Sequence, residues 1–199
     1  IVFLGGNTLS RNLELLDTFP KILRDNAKIF ADKAAIREKE FGIWQTLSWR
    51  EFYDNALNLA GGFKKNGIKR GDKVAIIGDN RPKLYMTIAA SQILGAIPVP
   101  CYQDSAADEI LYILDHAEAK LAVVENQEQV DKVLEVMDRL PKLKLIIYDD
   151  PRGLENYQDD CIINIESIQK NKYESNTTSI NDDIEKTLKD DIAIMLYTS

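Results

Sequence analysis

The feature that most constrains the fold is a regular alternation of short apolar runs with amphipathic segments between Lys73 and Tyr148. The runs predict strands at 73–77, 121–124 and 143–148, and the segments between them predict helices at 82–94, 105–116 and 127–140. Connections this short favour parallel strands joined by right-handed crossovers, with helices on both faces. The sequence therefore predicts an α/β fold with a mainly parallel sheet flanked by helices.

One strand in this series carries prolines. Residues Ala96 to Pro100 follow a helix that ends at Gly95, and Pro98 and Pro100 have no N–H to donate to a neighbouring strand. We therefore expect an edge or loop-like strand here rather than a central one. Ser105 is expected to cap the helix that follows.

The first third of the chain predicts a different arrangement. Residues 1–29 read as a leader with a short helix, and residues 30–67 as a hairpin that turns near Phe41-Gly42, followed by a helix. Ser48 and Glu51 form a capping-box pattern at the start of that helix. One buried helix face is predicted from the spacing of Phe52, Ala56, Leu59 and Phe63. The helix is expected to end at Asn66-Gly67.

The last quarter of the chain is polar before it turns apolar again. Residues 149–189 are expected to be a solvated connection with one short strand near 161–165. An apolar run at 192–197 predicts a final buried strand that delivers Thr198 and Ser199 to the carboxyl edge of the sheet, where ligands of such folds bind. Their hydroxyls are predicted to donate to phosphate oxygens. Glycines would be needed next, so we expect the chain to stop before the phosphate-binding turn is complete.

Composition narrows the function classes. The 199 residues carry a net charge of −7, and a pI near 4.9 with scattered basic residues argues against nucleic-acid binding. Two distant cysteines favour a reducing cytoplasm. The uncharged stretch 84–103 is broken by Gly95, Pro98 and Pro100, so no transmembrane segment is predicted. Peripheral membrane association stays open, although no basic amphipathic helix supports it.

Other candidate residues favour structural roles. We interpret His116 as a residue interacting with a helix C-terminus and Cys101 as a buried thiol. The turn 78–82 is expected to be an ordinary strand-to-helix connection capped by Asp79 or Asn80. The basic residues Arg50, Lys64, Lys65, Lys69 and Arg70 are expected to form a solvated face. No spacing in the sequence predicts a metal site formed by protein side chains alone.

Three stretches together resemble the AMP-forming adenylating enzymes, the superfamily of acyl-CoA synthetases, luciferases and peptide-synthetase adenylation domains. They are Ser48-Trp49-Arg50-Glu51-Phe52 through Gly71-Asp72-Lys73-Val74-Ala75-Ile76, then Leu94-Gly95-Ala96-Ile97-Pro98-Val99-Pro100 with Ala119-Lys120-Leu121, and Asp190-Asp191-Ile192-Ala193 through Tyr197-Thr198-Ser199. Residues 41–45 look most like the bacterial long-chain fatty-acid ligases.

The resemblance implies a two-step reaction. A carboxylate attacks the α-phosphorus of MgATP to give acyl-AMP and pyrophosphate, and the thiol of coenzyme A then displaces AMP. It implies ATP, Mg²⁺ and coenzyme A for the full-length protein, with Thr198 and Ser199 as the only nucleotide-binding residues matched here and no catalytic residue. The 199-residue chain is therefore expected to be inactive alone.

The family architecture further implies that residues 30–67 pack on a second sheet formed by later sequence, whereas residues 68–199 belong to the parallel subdomain. An apolar surface would then stay uncovered in this chain. A homodimer is left open.

Two other functions remain open from the sequence. One is an adenylation domain that loads a carrier protein. The other is a non-catalytic receiver- or flavodoxin-like module, for which Asp79 and Asp104 would be the candidate acids at the strand ends.

Overall fold

The structure, a computed structural model, describes residues 13–157, 159–170 and 177–198. A short 3-10 helix at Leu13–Leu15 precedes α1 (Phe19–Ile29). The strands β1 (Ala34–Glu40) and β2 (Ile43–Ser48) form an antiparallel hairpin, and α2 (Trp49–Lys65) follows. The remaining elements are β3 (Lys73–Ile77), α3 (Pro82–Ile93), β4 (Ile97–Cys101), α4 (Ala107–His116), β5 (Ala119–Val124), α5 (Gln127–Met137), β6 (Leu145–Tyr148), β7 (Ile162–Asn164), α6 (Ile165–Lys170) and α7 (Thr177–Glu185).

The predicted parallel sheet is confirmed. Its five strands lie in the order β4-β3-β5-β6-β7, and every neighbouring pair is parallel. In the register, Val74 lies beside Pro98 on one side and Leu121 on the other. Because β4 lies at the end of the order, its two prolines occupy an edge strand, as the sequence predicted.

Two hydrophobic cores cover the two faces of this sheet. On one face Phe63 of α2 and Ile93 of α3 pack with Ile76. On the other, Ile110 of α4 and Val133 of α5 pack with Ile77. Strands buried on both faces explain why the runs at β3, β5 and β6 are continuously apolar instead of alternating.

The N-terminal elements also match their sequence signals. The hairpin turns at Phe41 and Gly42, which have φ of 47° and 81°. At the exit of β2, the Glu51 N–H donates to Ser48 Oγ (3.2 Å) and the Ser48 N–H donates to Glu51 Oε2 (2.8 Å), which confirms the capping box. The helix ends at Lys65 and is followed by Asn66 and by Gly67, which has φ of 85°. Residues 1–12 of the predicted leader lie outside the described residues.

The short strand expected near 161–165 is confirmed as β7, but the expectation that the rest of 149–189 is a solvated connection is wrong. The connection contributes β7, α6 and α7, and Ile165, Ile168, Ile180 and Ile184 are buried in the same core as α2. Gly62 lets α6 approach closely, because a Cβ at that position would come within 1.9 Å of Ile168 Cγ2. The spacing of Ile180 and Ile184 on one helical face was the signal in the sequence.

The helix start predicted at Ser105 is also wrong. The residue preceding α4 is Ala106, whose N–H donates to Glu109 Oε2 at 3.2 Å. This is the half of a capping box that a carboxylate supplies, and no side chain accepts from the first-turn N–H groups in place of the serine.

Within the described residues, every helix is too short or too polar to cross a membrane.

Candidate functional site

The segment 192–198 lies along the outer edge of β4. The Met195 N–H donates to the Pro98 carbonyl (3.0 Å), and Gln92 Nε2 donates to the Ala193 carbonyl (2.8 Å). These two bonds place Ala193 beside α3 and Met195 beside β4.

The predicted final strand at 192–197 is wrong as an element of regular structure. One backbone hydrogen bond joins the segment to β4 among the described residues, and its residues alternate between half-buried and exposed. The prolines of β4 remove two N–H donors that a neighbouring strand would use. Ile192 and Leu196 are 59% and 65% exposed, so the run is not buried.

The two residues predicted to bind phosphate lie at the end of this segment. Thr198 is exposed. Ser199 lies outside the described residues. Contact of either residue with a phosphate therefore stays a prediction.

An aromatic cluster holds the residue immediately before Thr198. The Tyr197 hydroxyl lies 2.8 Å from Nδ1 of His116, the last residue of α4, and their ring centroids are 5.7 Å apart at 87°. Tyr112, one helical turn earlier, stacks on His116 with centroids 5.7 Å apart. Burial raises the pKa of the Tyr197 hydroxyl. His116 thus has a specific partner beyond the predicted helix terminus.

The turn after β3 is stabilised by hydrogen bonds to a carboxylate that the sequence analysis missed. Glu125, directly after β5, accepts from the Asp79 N–H (2.6 Å) and from Arg81 Nε (2.8 Å). Gly78 makes this approach possible, because a Cβ there would lie 2.6 Å from Glu125 Cβ. The residue preceding α3 is Arg81, with no side-chain cap, so the predicted capping by Asp79 or Asn80 is wrong.

A cleft of about 720 Å³ opens at the carboxyl ends of β3, β5 and β6, beside the hairpin. Arg81 also donates to Glu38 of β1 (2.8 Å), and Lys83 donates to Asp149 (2.6 Å) after β6. Burial raises the pKa of Asp149, against the lowering effect of Lys83. The signal in the sequence was an acid following each of two neighbouring buried strands, at Glu125 and Asp149. These paired charges join the sheet to the hairpin.

The basic residues at the end of α2 are partly engaged. Lys64 pairs with Asp183 of α7 (2.5 Å), and Arg70 binds both carboxylate oxygens of Asp191. These pairs attach the C-terminal part of the chain to α2 and to the connection between α2 and β3. Arg70 is nonetheless exposed, as are Arg50, Lys65 and Lys69, so the predicted solvated face is confirmed for these four residues, whereas Lys64 is half-buried.

Cys101 is buried, as predicted, and burial raises the pKa of its thiol to about 12. A thiol with so high a pKa contains little thiolate at neutral pH. Among the described residues, no three histidine, cysteine or acidic side chains form a group that could hold a metal ion.

Comparison with known proteins supports the resemblance read from the three stretches. A family model described as AMP-binding enzyme matches residues 23–199. The chain belongs to this family. Membership sets aside the receiver- or flavodoxin-like alternative.

Two curated relatives are both long-chain-fatty-acid–CoA ligases. A long-chain-fatty-acid–CoA ligase of Xenopus laevis is 31% identical over 130 residues, which cover 65% of this chain and 18% of the relative. One of Rattus norvegicus is 31% identical over 123 residues, 61% of this chain and 17% of the relative. The matched part of this chain thus spans less than a fifth of the length of these relatives.

Solved structures show the same fold. A structure titled as a long-chain-fatty-acid CoA ligase from Rhodopseudomonas palustris has a TM-score of 0.65 at 25% identity, covering 76% of this chain and 36% of that one. A coronafacic acid ligase variant from Pectobacterium brasiliense has a TM-score of 0.77 at 20% identity, covering 91% and 33%. The α/β architecture is thereby that of adenylate-forming enzymes.

Proposed function

We propose that this chain is part of an acyl-CoA synthetase that activates a long-chain fatty acid. The complete protein would join the carboxylate to the α-phosphorus of ATP, release pyrophosphate and transfer the acyl group from AMP to coenzyme A. The observation that carries the proposal is the continuous family match from residue 23 to 199. The names of the relatives supply the class of acid.

The role proposed for this chain is to position phosphate groups. Thr198 and Ser199 would donate hydroxyl hydrogen bonds to phosphate oxygens, with the rest of the turn supplied by later sequence. Exposure of Thr198 supports this role, since its hydroxyl is accessible to a ligand. Stabilising developing charge with fixed donors is a large contribution to phosphoryl and acyl transfer. The 199-residue chain alone would lack most of the site and be inactive.

Mg²⁺ and coenzyme A would bind to the complete protein, and this chain is not proposed to hold either by itself. Two unpaired cysteines support a reducing compartment, the cytoplasm, as the place of action.

The test is exchange of labelled pyrophosphate into ATP by the complete protein, with palmitate as the probe acid. We expect exchange that depends on palmitate, followed by palmitoyl-CoA formation when coenzyme A is added. Exchange without any thioester to coenzyme A would favour the carrier-protein alternative. No exchange with any fatty acid would contradict the proposal.

The Thr198→Val substitution tests the site itself. It keeps the shape of the side chain and removes the hydroxyl, so we expect the exchange rate to fall about tenfold or more. Thr46→Val is the matched control, because Thr46 is exposed on β2 and its substitution should leave the rate unchanged. Equal rates in the two variants would remove Thr198 from the site.

A further inference from the structure

We propose that His116 and Tyr197 form a clasp that positions the start of the phosphate-binding turn, which makes His116 a positioning residue for ATP. The inference rests on the proposed function. It assigns a role in nucleotide binding to a helix end that no motif of the sequence singled out for one.

The clasp matters because little else holds this end of the chain. Backbone pairing of the segment 192–198 with β4 consists of the bond from Met195 to Pro98. Beyond Met195, the hydrogen bonds made by the described residues all involve the Tyr197 hydroxyl, which contacts His116 Nδ1 at 2.8 Å and Met195 Sδ at 3.6 Å. The contact with His116 is the one that leaves the segment and reaches another element.

The partner of the clasp is anchored in the core. His116 ends α4, and the same helix buries Ile110 and Leu114 completely or nearly so against the sheet. Tyr112 stacks on the imidazole and limits its rotation. The hydrogen bond therefore joins Tyr197 to a helix that is held in place by its packing against the sheet.

The chemistry of the pair suits a hydrogen bond. A phenol can donate one hydrogen bond while it accepts another, and an imidazole nitrogen can take either role according to its tautomer. The Tyr197 hydroxyl can thus form hydrogen bonds with His116 and Met195 at the same time. Breaking the pair leaves both side chains in contact with water, so the fold itself should change little.

The clasp is expected to affect ATP binding because of where Tyr197 lies in the chain. Tyr197 is joined by one peptide bond to Thr198, whose hydroxyl is proposed to bind phosphate. Displacements of about 1 Å in a positioning group are enough to weaken a catalytic arrangement. Loss of the clasp should therefore weaken ATP binding more than it affects binding of the acid.

The experiment uses the complete protein and measures kcat, the KM for ATP and the KM for palmitate in pyrophosphate exchange, together with melting temperatures. The variants are His116→Ala, Tyr197→Phe, the two combined, and His116→Asn, in which the amide keeps a hydrogen-bonding atom near the position of Nδ1. Tyr102→Phe is the matched control, because Tyr102 is an exposed tyrosine outside the clasp.

We expect His116→Ala and Tyr197→Phe each to raise the KM for ATP about three- to tenfold, the effect of one modest hydrogen bond. The double variant should be no worse than either single variant, since both break the same bond. His116→Asn should recover most of the affinity. The KM for palmitate, the melting temperatures and the control should stay at wild-type values.

An unchanged KM for ATP in His116→Ala would overturn the inference while leaving the proposed function intact, as would additive effects in the double variant. A parallel fall in melting temperature would assign the pair a structural role and also overturn it. A wild-type protein without exchange would instead overturn the proposed function, and the clasp with it.

Discussion

The parallel sheet and the β1–β2 hairpin are built from strands of similar length, yet they differ in what covers them. In β3 and β5 nearly every residue is buried, because α2 and α3 pack on one face and α4 and α5 on the other. In the hairpin most residues are exposed, including Ile43 and Trp44, each 65% exposed. One region carries its own core, whereas the other exposes apolar surface.

The comparison indicates which region of the chain can fold stably without further strands. Isolated two-stranded hairpins are marginally stable in water and usually need a third strand or a packed face. The hairpin is attached here by its ends, through the bonds from the Trp49 N–H to Lys33 and from the Arg50 N–H to Ala31, and by the pair of Arg81 with Glu38. We propose that the hairpin at 34–48 belongs to a second sheet whose other strands come from later sequence, whereas α2 packs on the parallel sheet.

The largest contrast should come from matched isoleucine substitutions in the two regions. Ile147→Ala removes a fully buried side chain from β6 and should lower the free energy of unfolding by about 2–5 kcal/mol. Ile43→Ala, in the exposed hairpin, should cost about 0.5 kcal/mol or less. Urea unfolding of the chain measures both. Equal losses would show that the hairpin is packed as firmly as the sheet.

A smaller effect is expected where α6 docks on α2. Gly62→Ala places a Cβ against Ile168 Cγ2 and should cost about 1–3 kcal/mol, because the backbone of α6 must shift. Adding Ile168→Ala removes the clashing atoms. The double variant should then lose less than the sum of the two single variants in urea unfolding. Additive losses would mean that α6 does not pack on this glycine.

The smallest of the three effects concerns the exit of the hairpin. Ser48→Ala removes the capping box that starts α2 and should cost about 1 kcal/mol. Ser105→Ala is the control, because Ala106, not Ser105, is the residue that precedes α4. Thermal unfolding compares the two. A loss at Ser105 equal to that at Ser48 would contradict the cap assigned to α4.

Much of the fold was predictable where local and global signals agree. The strands at 73–77 and 121–124 are short apolar runs between helical segments, so their parallel arrangement followed from connection length. The hairpin turn at Phe41-Gly42 and the capping box at Ser48 are set by local backbone chemistry, which the sequence reveals directly.

Predictions failed where the outcome depended on distant partners. Helices α6 and α7 each bury only a few isoleucines, and their packing depends on the face that α2 offers 100 residues earlier in the chain. The segment 192–197 reads as a buried strand, but a strand needs a neighbour with donors, and the prolines of β4 provide few. The Tyr197–His116 pair joins residues 81 positions apart, which no short motif can report.

The central claim is that the parallel sheet is stably folded in this chain, whereas the hairpin needs further strands from later sequence. Amide hydrogen exchange tests this claim most directly. It should be measured by mass spectrometry on the 199-residue chain and on the complete protein. We expect peptides from β5 and β6 to be protected in both, and peptides from β1 and β2 to gain strong protection only in the complete protein. Equal protection of the hairpin in the two samples would contradict the claim.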